Sequence, residues 1–487
     1  MKRFLNQYRY LPIQVRASFW FLICTILQRS ITIITTPIFT RILSTKEYGR
    51  YSIFTSWMAI LTCFITLYIY ADIYIQTVIK YDKNKAQYSS AMQGLTITLV
   101  LGWLMVYLVF SEKLNKVFSL NTYQMVAMIL IIWGHAVFGF WSAEQRVDYK
   151  YQLLVIVTFL EAVLQPIISI FFMCVFENKV TGLVWGMAIT LLMFGLPIAF
   201  KQLANGKVFV SKKMWGDTLK LAIPLIPHYT SSVLLNCSDR IMIQKIAGER
   251  QAGIYNLAYT ISICGTIINQ AMLQTIQPWI IQKIKEKRYQ EIKKVAYPIL
   301  IIIAVINLVI ILFTPEIMMI FAPQTYGDAI WIMPPIILSV FFMFLYNLFS
   351  YFEFYYEKVS YVSSATGVGA VLNILLNYIF IHCFGYYAAG YTTLVCYILF
   401  AVAHYLFMRK ICKKEIDNVK VYDIKILFVI SVIFILAGFS IMFFYKTPYI
   451  RYIIMSGVVL IAILKRDVIR KYLLFFLNNK KLSDISE

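Results

Sequence analysis

The sequence is poor in charge: only 14% of its 487 residues are charged, against 60% hydrophobic. A soluble domain needs far more charge to cover its surface. No connector between the apolar runs is long enough to fold as a catalytic domain; the longest lie near 201–217, 278–295 and 409–423. Eight Cys are present, but none are paired at CxxC spacing, so neither a zinc site nor a disulfide framework is supported. Cys24, Cys63, Cys174, Cys237, Cys264, Cys383 and Cys396 sit in apolar runs and read as small hydrophobes. No Asp or Glu precedes Glu47. The run after the basic N-terminus is too long for a signal-peptide core and lacks a small-residue cleavage site, so it is expected to stay as a span.

What the chain does have is a series of apolar runs, each near the ~20 residues needed to cross hydrocarbon. They fall at roughly 16–39, 52–75, 89–111, 122–143, 152–176, 181–200, 218–243, 253–277, 296–321, 328–352, 360–383, 387–408, 424–444 and 449–464. This predicts an all-α polytopic membrane protein with about fourteen transmembrane helices. The net charge of +22 does not point to nucleic acid. With the N-terminus in the cytoplasm most Lys and Arg fall in cytoplasmic segments, the asymmetry of the positive-inside rule, reinforced by anionic lipid heads. Both termini are then cytoplasmic.

Two connectors echo each other. Arg41-Ile42 leads to Gly49-Arg50-Tyr51, and Lys245-Ile246 leads to Gly253-Ile254-Tyr255, with Gly253 lying 204 residues after Gly49. Each follows a span that opens a six-helix block, and both spans run outward. The expected organisation is an N-terminal lobe at 1–217 and a parallel-related C-terminal lobe at 218–423. Two additional helices and an amphipathic cytoplasmic tail occupy 424–487. Parallel repeats recur in transporters that rock one half against the other, which makes Gly49, Gly253 and the helix-bending Pro224 and Pro227 candidate hinges.

Polar residues inside the spans mark function, because a charge in hydrocarbon must face protein or water. In the first span Ser18, Thr25, Arg29, Thr32, Thr36 and Thr40 fall within a sector of about 80° on a helical wheel. Helix packing through hydroxyls accounts for the threonines, but a mid-span Arg29 needs a partner or a wet cavity. Span 2 repeats the stripe with Thr55, Ser56, Thr62 and Thr66, and span 8 with Asn256, Thr260, Gln270 and Gln274. Span 7 carries His228, Ser232, Asn236 and Asp239 along one side, with Arg240 adjoining. Two readings of Asp239 and Arg240 stand: cavity groups, or a local ion pair near the outer interface. His228 is either a cavity group or a packing residue. Asp72 and Glu161 either carry a coupling proton or Na+ or pair with Arg29. Together the stripes predict a water-filled cavity lined by spans 1, 2, 7 and 8, cationic at its centre and suited to an anion such as a phosphate.

The stretches Thr36-Pro37-Ile38-Phe39-Thr40-Arg41-Ile42-Leu43, Glu47-Tyr48-Gly49 and Ser89-Ser90-Ala91-Met92-Gln93-Gly94-Leu95 resemble bacterial oligosaccharide-lipid flippases of the Wzx type. So do Ile223-Pro224-Leu225-Ile226-Pro227-His228, Leu235-Asn236-Cys237-Ser238-Asp239-Arg240-Ile241 and Ala252-Gly253-Ile254-Tyr255. These flippases belong to the superfamily of multidrug antiporters and lipid II flippases. The resemblance implies two six-helix lobes around a central cavity, alternating access, and movement of an undecaprenyl-diphosphate-linked oligosaccharide to the outer leaflet of the bacterial cytoplasmic membrane. Arg29 matches a position where such proteins attract the diphosphate, and Arg240, His228, Asn236 and Gln270 are further cavity candidates. The implied partners are the lipid-linked oligosaccharide, membrane lipids, and polysaccharide polymerase and chain-length proteins; no nucleic acid, cofactor or metal is implied. Many relatives have twelve spans; the extra pair here is shared with the lipid II flippases, where it helps form a groove for the lipid tail.

A multidrug or organic-cation antiporter of the same fold is the nearest alternative. Such proteins hold a cation on a carboxylate, where this chain offers Arg29. A membrane polymerase or ligase needs a sizeable external loop and a nucleophile-base or metal-ligand pattern, and neither is present. A reporter fused to the C-terminus should show it on the cytoplasmic side; an external signal would overturn the fourteen-span topology.

Overall fold

The computed structural model describes residues 13–464 and residue 466. All regular structure among them is helical. The helices are α1 (Ile13–Ile42), α2 (Thr45–Ile65), α3 (Asp72–Lys80), α4 (Lys85–Val109), α5 (Ser111–Phe118), α6 (Thr122–Val147), α7 (Tyr151–Val175), α8 (Lys179–Gly206) and α9 (Lys212–Ala247). They continue as α10 (Glu249–Ser262), α11 (Gly265–Lys285), α12 (Tyr289–Leu312), α13 (Thr314–Phe321), α14 (Met333–Tyr355), α15 (Val359–Phe384), α16 (Ala388–Glu415), α17 (Ile424–Met442) and α18 (Pro448–Leu464). The amphipathic tail expected after Lys465 lies outside the described residues.

Nine segments among the described residues are long and apolar enough to cross a membrane, falling in α4, α6–α8, α12 and α14–α17. The chain is a multi-pass membrane protein. The other expected spans fall on α1, α2, α9, α10–α11 and α18. All but α18 are the helices with polar stripes, which lowers their hydropathy.

Three expected spans are broken, 296–321 among them, at Phe313 between α12 and α13. The run 52–75 ends as a helix at Ile65 and resumes at Asp72. Leu67 and Tyr68 between them adopt left-handed backbone at φ 51 and 53, a conformation non-glycine residues adopt rarely. The Tyr68 ring stacks between Tyr70, at 5.5 Å, and Tyr229 of α9, at 5.0 Å, which holds the turn. The run 253–277 breaks at Ile263 and Cys264. There the Ser262 hydroxyl donates to the Ala258 carbonyl, and a Cβ on Gly265 would lie 3.3 Å from the Asn307 side-chain oxygen, a tight approach. By contrast α9 runs unbroken through Pro224 and Pro227.

The chain divides into two compact units, Met1–Asn256 with Thr366–Tyr386, and Leu257–Ala365 with Tyr387–Glu487. In the first, small residues set the helix approaches. A Cβ on Gly182 of α8 would lie 2.4 Å from the Phe172 carbonyl oxygen, and one on Gly186 2.3 Å from the Ser169 Cα of α7. Without a hydrophobic effect between helices in lipid, such close backbone approach supplies the packing energy. The stretch Ser89–Gly94 docks the chain leaving α8. The Ser90 hydroxyl accepts from Val208 N–H at 3.2 Å, the Ala91 carbonyl accepts from the Trp215 indole at 2.8 Å, and Gly94 abuts Phe209.

The two echoing connectors meet. A Cβ on Gly49 would lie 1.8 Å from the Glu249 carbonyl oxygen, and one on Gly253 2.1 Å from the Thr45 carbonyl oxygen. Glu249 follows Thr45 by the same 204 residues that separate the glycines, so α2 and α10 cross in a reciprocal contact. Ser44 and Glu47 cap α2 with mutual side-chain to backbone hydrogen bonds and the Arg50 guanidinium binds Glu249 at 2.9 Å.

In the second unit α14 is buried along most of its length against α11, α12, α16 and α17. The last helix is tied in by Arg451, 3% exposed, which donates to the Leu312 carbonyl at 2.9 Å and to Glu316 at 2.6 Å. Gly49→Ala or Gly253→Ala should cost about 1–3 kcal/mol through overpacking, while Gly102→Ala, which meets nothing within 4 Å, stays within about 0.5 kcal/mol. Thermal unfolding in detergent reads the difference.

Candidate functional site

Within the first unit a cavity of ≈ 210 Å³ opens between α1, α6, α7 and the turn joining α2 to α3. One stripe of α6 forms its long wall: His135, Phe138, Gly139, Ser142 and Arg146, at the three- and four-residue spacing that keeps side chains on one helix face. Gly139 gives way to the Tyr70 ring, whose Cδ2 is 2.5 Å from where a Cβ would be. Cys24 of α1 and Thr158 of α7 line the facing walls. None of the described lining residues is acidic.

The acids beside Arg146 are committed elsewhere. Glu144 accepts from the Tyr74 hydroxyl at 2.7 Å and from the Ser89 hydroxyl, inside a buried network that extends through Tyr88 to Thr77 and Thr218. Asp148 takes Lys85 and Lys150. Burial pushes its carboxyl upward, but the hydrogen bonds and charges of the two lysines outweigh this and hold it below the usual carboxylate value. Arg146 itself is exposed to the cavity and has no ion-pair partner among the described residues. A guanidinium so placed is free to bind an anion.

The backbone of Arg29 lies in α1, and Asp72 begins α3; both side chains lie outside the described residues. Glu161 is half-buried on α7, one turn from Thr158, with no hydrogen-bond partner among the described residues. His228 is half-buried, with Nδ1 sealed from solvent and unpartnered among the described residues.

Asp239 and Arg240 form one tight cluster with Asn236, Asn256 and Tyr255. Arg240 Nε donates to Asn256 Oδ1 at 3.0 Å, and Nη1 donates to the Asn236 carbonyl. Asp239 Oδ1 accepts the Arg240 backbone N–H at 2.8 Å and lies 3.6 Å from its guanidinium, while Oδ2 accepts from the Tyr255 hydroxyl. Both charges are nearly inaccessible, at 2% and 8%. The geometry is that of the local ion pair, joining α9 to α10. The Asn236 side-chain amide donates back to the Ser232 carbonyl at 2.7 Å. Gln270, in the second unit, is exposed, and its neighbour Asn269 is the buried one, donating to the Val340 carbonyl.

The family model described as polysaccharide biosynthesis protein matches residues 15–282, more than half of the chain. The chain belongs to the polysaccharide biosynthesis protein family. Similar solved structures include the lipid II flippase MurJ in an inward closed conformation, at 14% identity and a TM-score of 0.67, covering 92% of this chain and 99% of that one. An inward-facing multidrug resistance MATE family transporter of the MOP superfamily aligns at 14% identity and a TM-score of 0.64, over 80% and 96%. A MOP superfamily transporter from Pyrococcus furiosus, described by a reversed polarity of its binding pocket, aligns at 14% and 0.57, over 82% and 95%. No curated protein matches. At this identity the likeness concerns the fold, and that fold belongs to transporters and a flippase rather than to catalytic enzymes.

His135, Ser142 and Arg146 of this polysaccharide biosynthesis protein were not singled out by their sequence context, although their spacing along α6 is a readable signal. Arg240→Ala should cost about 3–5 kcal/mol by stranding a buried carboxylate. Tyr255→Phe should cost about 1–3 kcal/mol. Unfolding temperatures in detergent check both.

Proposed function

We propose that this protein flips an undecaprenyl-diphosphate-linked oligosaccharide repeat unit from the inner to the outer leaflet of the bacterial cytoplasmic membrane. The product feeds assembly of a surface polysaccharide such as O-antigen, capsule or exopolysaccharide. The observation that carries this reading is the sign of the cavity: its described lining offers the Arg146 guanidinium and no acid, in a chain of the polysaccharide biosynthesis family. A guanidinium binds phosphate oxygens through paired hydrogen bonds, and an organic cation gains nothing there. That disfavours the multidrug antiporter reading of the same fold.

In this mechanism Arg29 and Arg146 hold the diphosphate from the cytoplasmic side. The hydroxyls of Ser142, Thr158 and Tyr70 accommodate sugars, with His228, Asn236 and Gln270 as further polar contacts. Arg240 acts by holding α9 to α10. Two six-helix lobes, 1–217 and 218–423, alternate access about Gly49, Gly253, Pro224 and Pro227, with Asp72, Glu161 and Asp239 as candidates for coupling to H+ or Na+. The lipid tail rests in an apolar groove of ≈ 250 Å³ lined by residues such as Phe342, Phe349, Ile424 and Phe428 of α14 and α17. Both termini are cytoplasmic, and polymerase and chain-length proteins take up the product.

Arg146→Ala and Arg29→Ala should each accumulate lipid-linked repeat units on the inner face at least about tenfold, the equivalent of one lost charge-assisted contact. Undiminished surface polysaccharide in both variants, at normal protein levels, would count decisively against the reading.

A further inference from the structure

The second unit contains a pair of titratable groups that the proposed transport path does not use. Glu353, near the end of α14, is fully buried, and His404 of α16 is 1% exposed. His404 Nδ1 and Glu353 Oε1 are 2.8 Å apart. The other carboxylate oxygen, Oε2, is sealed from solvent and has no hydrogen-bond partner among the described residues. The imidazole is enclosed by rings: Tyr346 stacks on it at 5.3 Å, Phe400 lies at 6.0 Å and Phe407 meets it edge-on at 6.3 Å.

No other charge stabilises the pair. Among the described residues the only ion pair of either side chain is with the other. Tyr346 is the titratable group of α14 against the imidazole. On α16, Tyr405 packs on Phe349 and Arg409 is bound by Val419 and Asn418. From the chain before α17, Tyr422 packs on Phe349 and on Tyr297 of α12. The face of α17 toward α14 and α16 carries Ile424, Leu427, Phe428, Val432 and Ile435, and α11 supplies the neutral Asn269 and a buried Lys283 whose ammonium is bound by Glu286 and by Glu291 of α12.

A buried carboxylate with one unmet oxygen has two low-energy partners, a cation or a proton, and no described group supplies the cation except the imidazole. With one proton between them the pair is neutral; without it, a bare carboxylate is left between two packed helices, which is strongly unfavourable. Binding and release of that proton therefore changes the energy of the α14–α16 contact. We infer that Glu353 and His404 form a proton-binding site inside the second unit, whose occupancy sets the strength of the α14–α16 contact. It goes beyond the flippase reading and does not depend on the substrate's identity.

The chain has four His, so 15N-histidine NMR of the full protein in nanodiscs can follow each imidazole through a pH titration, with His404 assigned by loss of one signal in His404→Gln. The His404 signal should change protonation state across the titration, and Glu353→Gln, which keeps an acceptor for the ring, should displace that change. A His404 signal that stays in one protonation state across the titration, or one that titrates identically in Glu353→Gln, overturns the proposal. Sodium chloride in place of acid is the control, and an Na+-dependent change at fixed pH that Glu353→Gln abolishes would assign the site to a metal cation and overturn it as well. Should Glu353→Gln not fold, Glu353→Asp supplies the comparison, since a shorter carboxylate alters the hydrogen bond and must move the midpoint. Surface polysaccharide export reports on the flippase reading separately.

Discussion

A charge or an unpaired polar group in hydrocarbon has no water to turn to, and the protein must satisfy it internally. That constraint explains where several of the described charges of the helical layers sit. Asp239 and Arg240 neutralise each other while Asn256, Tyr255 and the Asn236 carbonyl complete their shells. Arg451 closes on Glu316 and the Leu312 carbonyl at the end of α12. Glu144 is absorbed by a tyrosine and serine network. Against this background Arg146 is exposed to a polar cavity without an acidic partner among the described residues.

The same environment shifts the task of packing to small residues. Apolar side chains gain little by leaving lipid for protein, so backbones that approach closely provide the cohesion. Gly182 and Gly186 do this between α7 and α8, and Gly49 and Gly253 do it at the crossing of α2 and α10. At the second crossing each glycine meets the carbonyl four residues before its counterpart, Glu249 for Gly49 and Thr45 for Gly253. A reciprocal contact between segments 204 residues apart is the geometry expected if the two segments are repeats of one unit related by an axis between them.

Membership in the polysaccharide biosynthesis family and a fold shared with MATE transporters and MurJ agree with the all-α, multi-pass reading. The helix content and most element positions were legible because apolar runs near twenty residues have one solution in a bilayer. The breaks at Thr66–Ala71 and Ile263–Cys264 were not legible. Nothing in the local sequence demands left-handed backbone at Leu67 and Tyr68; the stack of Tyr68 on Tyr229, 161 positions away along the chain, holds it.

By itself the sequence determined that the chain lives in a membrane, that it is helical, and that polar stripes run along particular helices. Those properties follow from composition and period, which are local. Which polar residues are spent and which are left available was decided only by the tertiary structure. Arg240 stood out in the sequence as a cavity candidate and proved to be enclosed by Asn236, Asp239 and Asn256. Arg146, unremarked in sequence, faces a cavity without an acidic partner among the described residues, since Glu144 and Asp148 on either side are turned to other partners. The reason is physical: a side chain's chemistry depends on what neutralises it, and in this protein those partners come from helices distant in the chain.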